Sequence, residues 1–139
     1  MVSTAIHDGV PIRPASGMDS RVYSVLAALD ESYPSPLSLE ELSSRVGLSV
    51  SRLQHLFRQS MGMSITAHLR RLRLSAAAEL LSATELQVLE VAYRVGFATA
   101  AGFTHAFRSQ YRESPKAYRH RLAKARQQAR SDPLEKHNP

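Results

Sequence analysis

The sequence predicts an all-α fold of seven helices, built as two helix-turn-helix subdomains joined by a long linker helix. Three observations predict it. Leu, Ala, Arg, Gln and Glu dominate the middle of the 139-residue chain, while runs of Val, Ile, Thr and Tyr are missing, so helix propensity outweighs strand propensity. Apolar residues recur at helical spacing in segment after segment, each bounded by a capping residue, a proline or a glycine. A set of positions then returns about fifty residues later, the mark of a duplicated unit.

Residues 1–18 (MVSTAIHDGVPIRPASGM) mix Gly, Pro and Ser without periodicity and are expected to form a flexible leader. Asp19 caps a first helix running to about Tyr33, with Val22, Val25, Leu26 and Leu29 as its apolar stripe; Pro34 and Pro36 end it. Ser38 caps a short second helix, and Glu41 three residues on completes a capping box. Leu39, Leu42 and Val46 face inward, and Gly47 sits where the helix stops with positive φ. A third helix covers about Val50 to Met61 and closes at Gly62.

Ser64 caps the long fourth helix, to about Leu81, with Leu69, Leu72, Ala76, Leu80 and their neighbours on its buried side. The fifth helix spans about Gln87 to Val95 and ends at Gly96; the sixth covers about Thr99 to Tyr111. Ser114 and Pro115 open the seventh as N-cap and first helical residue. The expected organisation is a leader over 1–18, a first unit with its linker helix over 19–82, a second unit over 83–130 and a flexible tail over 131–139.

The duplication is specific. Leu39, Glu41, Leu42, Val46, Gly47 and Leu48 return 49 residues on as Val88, Glu90, Val91, Val95, Gly96 and Phe97. Leu53, His55, Phe57, Arg58 and Ser64 return 50 residues on as Phe103, His105, Phe107, Arg108 and Ser114. Each copy reads helix, glycine turn, helix.

At about 100° per residue, Leu53, Leu56, Phe57 and Ser60 fall on one side of the third helix. Ser51, His55 and Arg58 fall on the other, flanked by Gln54 and Arg52. In the sixth helix Phe103, Ala106, Phe107 and Gln110 form the inner face, and Ala101, His105, Arg108 and Arg112 point outward beside Thr104. The outward chemistry suits a duplex groove. Gln54 can bond an adenine edge twice, His55 and His105 can meet guanine N7 or O6, and Arg58 and Arg108, a turn further on, suit phosphates. Arg52 and Arg112 join that phosphate set.

Charge agrees with a polyanionic partner. The first 37 residues carry two arginines and four acids, whereas the remaining 102 carry sixteen basic and eight acidic side chains. Cysteine is absent, which excludes disulfides and thiolate metal sites. The six histidines are scattered, so no metal or other cofactor is expected. No hydrolase elbow or phosphate-binding glycine loop is present, and an enzyme is not expected. No apolar stretch approaches the ~20 residues that span a bilayer, and a cytoplasmic protein is expected.

These residues resemble the DNA-binding domain of the AraC/XylS family of bacterial transcription regulators. The resemblance covers about Asp19 to Leu122 and rests on PLSLEELSSRVGLSVSRLQHLFRQSMGMS, LRRLRLSAAAELL and EVAYRVGF…FTHAFRSQYRESPKAYR. It implies that helices at about 50–61 and 99–111 enter successive major grooves of one duplex. Ser51, Gln54 and His55 would then read bases in the first unit, and Ala100, Ala101, Thr104 and His105 in the second. The helix N-termini near Ser38 and Ser49 would bind phosphate through backbone N–H groups. Ala100, Ala101 and Gly102 stand where the family often has polar side chains, which leaves thymine-methyl contact or shape readout for that unit. Arg112 stands where the family usually has glycine or asparagine.

Double-stranded DNA is the expected partner, with RNA polymerase a further candidate. The leader is too short for an effector-binding domain, so no effector ligand is expected within this chain. Arg70, Arg71 and Arg73 read equally as DNA-backbone contacts or a solvated face; Lys116, Arg119, Arg121, Lys124, Arg126 and Arg130 read as exposed. The alternative from another class is a helical protein-interaction adaptor whose basic faces meet an acidic partner. An RNA binder is disfavoured by the scarcity of aromatics for base stacking.

Overall fold

The computed structural model describes residues 6–7, 10–11 and 17–131. The expected flexible leader over 1–18 and tail over 131–139 lie for the most part outside the described residues. Two short strands, β1 (Ile6–His7) and β2 (Val10–Pro11), pair antiparallel with Ile6 opposite Pro11 and His7 opposite Val10. The rest of the described architecture is helical: α1 (Ser20–Ser32), α2 (Leu39–Val46), α3 (Val50–Met61), α4 (Ile65–Ala83), α5 (Val88–Arg94), α6 (Ala100–Tyr111) and α7 (Pro115–Ser131). The chain divides into two compact units between Ser75 and Ala76, inside α4.

In the first unit Asp19 and Ser38 cap their helices as N-caps, Ser38 supplying its half of the expected capping box. Asp19 accepts from the Arg21 N–H at 2.8 Å, and Ser38 Oγ accepts from the Glu41 N–H at 3.2 Å. Gly47 has φ 71°, and the Leu48 N–H donates back to the Ser43 carbonyl at 3.0 Å, which turns the chain sharply into α3. Val22, Val25, Leu26 and Leu29 of α1 meet Leu42, Leu53, Phe57, Ile65, Leu69 and Leu72 in one core. His68 is buried with them, edge-on to Phe57 with ring centroids 5.8 Å apart. Fully burying a Val, Leu, Ile or Phe side chain contributes about 1.5–3 kcal/mol, so a unit this small holds together through these ten large apolar positions.

The second unit repeats the plan with more aromatic residues. Gly96 has φ 107°, and the Phe97 N–H donates to the Ala92 carbonyl at 3.0 Å, the counterpart of the bond at Leu48. Phe103 lies 5.3 Å from Phe97 and 5.6 Å from Phe107; Phe107 stacks on Tyr111 at 4.5 Å and meets Tyr118 edge-on at 5.3 Å. Ser114 Oγ accepts from the Ala117 N–H at 3.0 Å, with Pro115 as first helical residue.

Four local expectations are corrected. On the expected buried side of α4, Leu69 and Leu72 are buried but Ala76 and Leu80 are only half-buried: the buried positions are Ile65, His68, Leu69 and Leu72, then Leu74, Ala77, Ala78 and Leu81. Both quartets have the same internal spacing and begin nine residues apart, half a turn out of phase at 100° per residue. Ser60 and Gln110, expected inward, are exposed, because Met61 and Tyr111 take the inner place in the last turns of α3 and α6. Arg73 is neither a solvated nor a DNA-facing group, since its guanidinium bonds the Tyr33 and Ser35 carbonyls. Arg119 is likewise half-buried, donating to the Leu81 and Thr84 carbonyls.

Candidate nucleic-acid interface

Each recognition-helix candidate is built by a short helix, a glycine turn and a capped start. In the first unit Ser49 is extended, and its Oγ accepts from the Arg52 N–H at 3.2 Å. The N–H groups of the turn before Arg52 have no intrahelical acceptor, and the first turn of α3 holds no acidic residue. The first turn of α2 differs: Ser38 caps it, but Glu40 and Glu41 occupy it. Two carboxylates there oppose an anion, so Ser49 marks the better phosphate position of the two.

Along α3, Leu53 and Phe57 are fully buried, which fixes the rotation of the helix. That rotation exposes Ser51, Arg52, Gln54, His55 and Arg58 together. Ser51, Arg52 and His55 border a concave surface of about 420 Å³ with Leu48, Leu56, Gln59 and Arg21. Two of these liners went unnoticed in the sequence. Gln59 lies one turn beyond His55 on the same face, a signal the spacing contained. Arg21 comes from α1 and had no local signal. It is held by Asp19, with Nε 3.0 Å from Oδ1 and Nη2 2.7 Å from Oδ2. The Arg21 guanidinium in turn holds the Asp19 carboxyl down at about 2, first through the side-chain hydrogen bond and then through the Arg21 backbone N–H.

In the second unit Thr99 is the N-cap rather than the first helical residue, its Oγ1 accepting from the Gly102 N–H at 3.0 Å. Phe103 and Phe107 are fully buried and Ala106 is buried beside them, so α6 is fixed in the same rotation as α3. Ala101, His105, Arg108 and Arg112 are exposed, and Ala100 and Thr104 are half-buried. Ala100, Ala101, Thr104, His105, Arg108 and Ser109 border an open concave surface of about 630 Å³. Ser109 stands fifty residues after Gln59 and was not singled out by sequence. Arg112 adopts φ 65° and donates its N–H to the Arg108 carbonyl at 2.8 Å, taking the left-handed cap that a glycine fills at Gly62 with φ 75°.

Within each unit, the candidate base-reading residues named from the sequence share one helix face. The basic residues of α7 divide. Lys116, Arg121, Lys124, Arg126 and Arg130 are exposed as expected and Arg119 is not; Arg121 also pairs with Glu113 at 2.8 Å and lies over the Tyr118 ring, and Arg126 bonds the Ser82 hydroxyl. Among the described residues no helix is long and apolar enough to cross a membrane.

Residues 42–121 match the family model described as a helix-turn-helix domain. The chain is 31% identical over 101 residues to the regulatory protein SoxS of Escherichia coli K12, covering 73% of this chain and 94% of SoxS. It is 33% identical over 98 residues to the right origin-binding protein of the same organism, covering 70% of this chain and 34% of that protein. Among solved structures, the DNA-binding domain of AdpA in complex with a target DNA matches with TM-score 0.71 and 30% identity, covering 78% of this chain and 97% of that one. The C-terminal domain of AraT, a response regulator from Geobacillus stearothermophilus, matches with TM-score 0.70 and 31% identity, covering 74% and 86%. With the duplicated helix-turn-helix plan and these likenesses together, the chain belongs to the AraC/XylS family of DNA-binding transcription regulators.

Proposed function

We propose that the chain recognises one DNA site of two half-elements by inserting α3 and α6 into successive major grooves. Ser51, Gln54 and His55 face the bases of one half-element, and Ala100, Ala101, Thr104 and His105 face those of the other. Arg52, Arg58, Arg108 and Arg112, with the helix N-terminus at Ser49, hold phosphates; Ser38 is the weakest member of that set because of Glu40 and Glu41. The observation that carries the reading is the recurrence of an exposed His–Arg face fifty residues apart, each on a helix whose other face is pinned by a buried phenylalanine pair or leucine–phenylalanine pair. The linker is of suitable length: nineteen residues of α4 measure about 28 Å at 1.5 Å each, against a groove repeat of about 34 Å on one side of B-DNA.

The partners of such a protein are double-stranded DNA and, for a regulator of transcription, RNA polymerase. It works by binding rather than catalysis, needs no cofactor for that, and acts in the cytoplasm. A mobility-shift titration against excess random duplex tests the reading. A selected duplex retained under that competition supports it; equal loss of selected and random duplexes would return the adaptor reading, in which the basic faces meet an acidic protein.

A further inference from the structure

The two recognition faces differ most in their first turn. Ser51, Arg52 and Gln54 of α3 are all exposed and polar; fifty residues on, α6 offers Ala101, Gly102 and Thr104. At 100° per residue, Ala100, Ala101, Thr104 and His105 form one contiguous patch, and all four border the open concave surface of α6. Gly102 belongs to the same design. Thr99 Oγ1 accepts its N–H at 3.0 Å, and a Cβ on Gly102 would stand 3.0 Å from that same oxygen. The capped first turn therefore carries almost no side-chain bulk, so its backbone can come close to a flat surface.

An alanine offers no donor or acceptor to a base edge. Pressing it against guanine, cytosine or adenine groups strips water from them and returns no hydrogen bond. The one apolar group that a base pair displays in the major groove is the thymine 5-methyl. We propose that, at the positions facing Ala100, Ala101 and the methyl of Thr104, α6 selects its half-element by apolar contact with thymine methyls, leaving hydrogen bonding there to His105, whereas α3 selects chiefly by hydrogen bonding. The inference rests on both helices entering major grooves and states what the second one recognises there. It makes the two half-elements chemically unlike: one read by polar complementarity, the other rich in thymine on the strand facing α6.

The test uses the unmodified chain and modified DNA. A site is obtained by selection, and the half read by α3 is assigned with Gln54→Ala. Each thymine is then replaced singly by deoxyuridine, which deletes the methyl and keeps base pairing and every donor and acceptor. Burying one methyl predicts about a fourfold loss of affinity per contacted position, in the α6 half. In Ala101→Gly the ratio of thymine to uracil affinity at one of those positions falls toward one. Equal affinity for thymine and uracil throughout the α6 half would overturn the inference while leaving groove insertion standing, as would sensitivity confined to the α3 half. Failure to retain any specific duplex would overturn both.

Discussion

Arg73 Nε donates to the carbonyl oxygen of Tyr33 at 2.7 Å, and its Nη2 donates to the Ser35 carbonyl at 2.9 Å. Arg119 does the same in the second unit, from Nε to Leu81 at 3.0 Å and from Nη2 to Thr84 at 3.2 Å. In each unit a guanidinium closes the C-terminal end of the helix on which the helix-turn-helix is built. The last carbonyls of a helix have no N–H partners of their own, and a cation there also opposes the helix dipole. Burial pulls the Arg73 guanidinium down from its ordinary value, yet an arginine remains charged.

Arg73→Ala should therefore cost stability, about 1.5–3 kcal/mol for hydrogen bonds from a charged group, read as a lower urea midpoint. Arg73→Lys should not restore it, because a lysine cannot span two carbonyls with a fixed fork. The salt dependence of DNA binding should not change. A flattened salt slope with an unaltered midpoint would return Arg73 to the DNA surface.

Arg58 and Arg108 are exposed a turn beyond the base-facing residues. Replacing either by alanine should weaken all duplexes alike and flatten the slope of log affinity against log salt by about one unit each. A loss confined to one DNA sequence would assign that arginine to base reading instead.

Arg112 holds φ 65° without being glycine. A left-handed conformation costs a side-chain-bearing residue roughly 1–2 kcal/mol, so Arg112→Gly should raise the thermal midpoint. Because the side chain belongs to the proposed phosphate set, the same change should lower DNA affinity. Stability and affinity moving in the same direction would contradict one half of this account.

The Asp19 carboxyl is held at about 2 against an ordinary 3.8 by Arg21. A depressed carboxylate stabilises the folded state above its unfolded value, and that contribution is lost as pH falls from about 3.8 through about 2. Asp19→Asn keeps an N-cap acceptor but removes the titration. Acid unfolding of α1, followed by circular dichroism, should be less steep over that interval in the variant. Superimposable curves would show that the pair has no part in acid stability.

Much of this arrangement was legible in the sequence because its determinants are local. Caps at Asp19, Ser38, Ser64 and Ser114 and turns at Gly47, Gly62 and Gly96 each act within four or five residues, so helix limits fell within a residue or two. The exposed faces of α3 and α6 were legible for the same reason, since one buried Leu–Phe or Phe–Phe pair sets the rotation of its helix. The two arginine clamps were not, because Arg73 and Arg119 find their carbonyls 40 and 38 residues away at Tyr33 and Leu81. Arg21 was missed because it borders the α3 surface from α1, thirty residues earlier in the chain. The second half of α4 was legible only in part, because its buried set, Leu74, Ala77, Ala78 and Leu81, lies half a turn from the first and takes in Ala77 and Leu81 rather than Ala76 and Leu80.

The most direct test of the account is selection of duplexes from a randomised pool, run in parallel with the unmodified chain and with Gln54→Ala. Two half-elements about one helical turn apart, with the variant losing its preference at one base position in only one of them, is the predicted result. A single half-element, or an unchanged motif in the variant, would contradict the claim that α3 and α6 each read a groove.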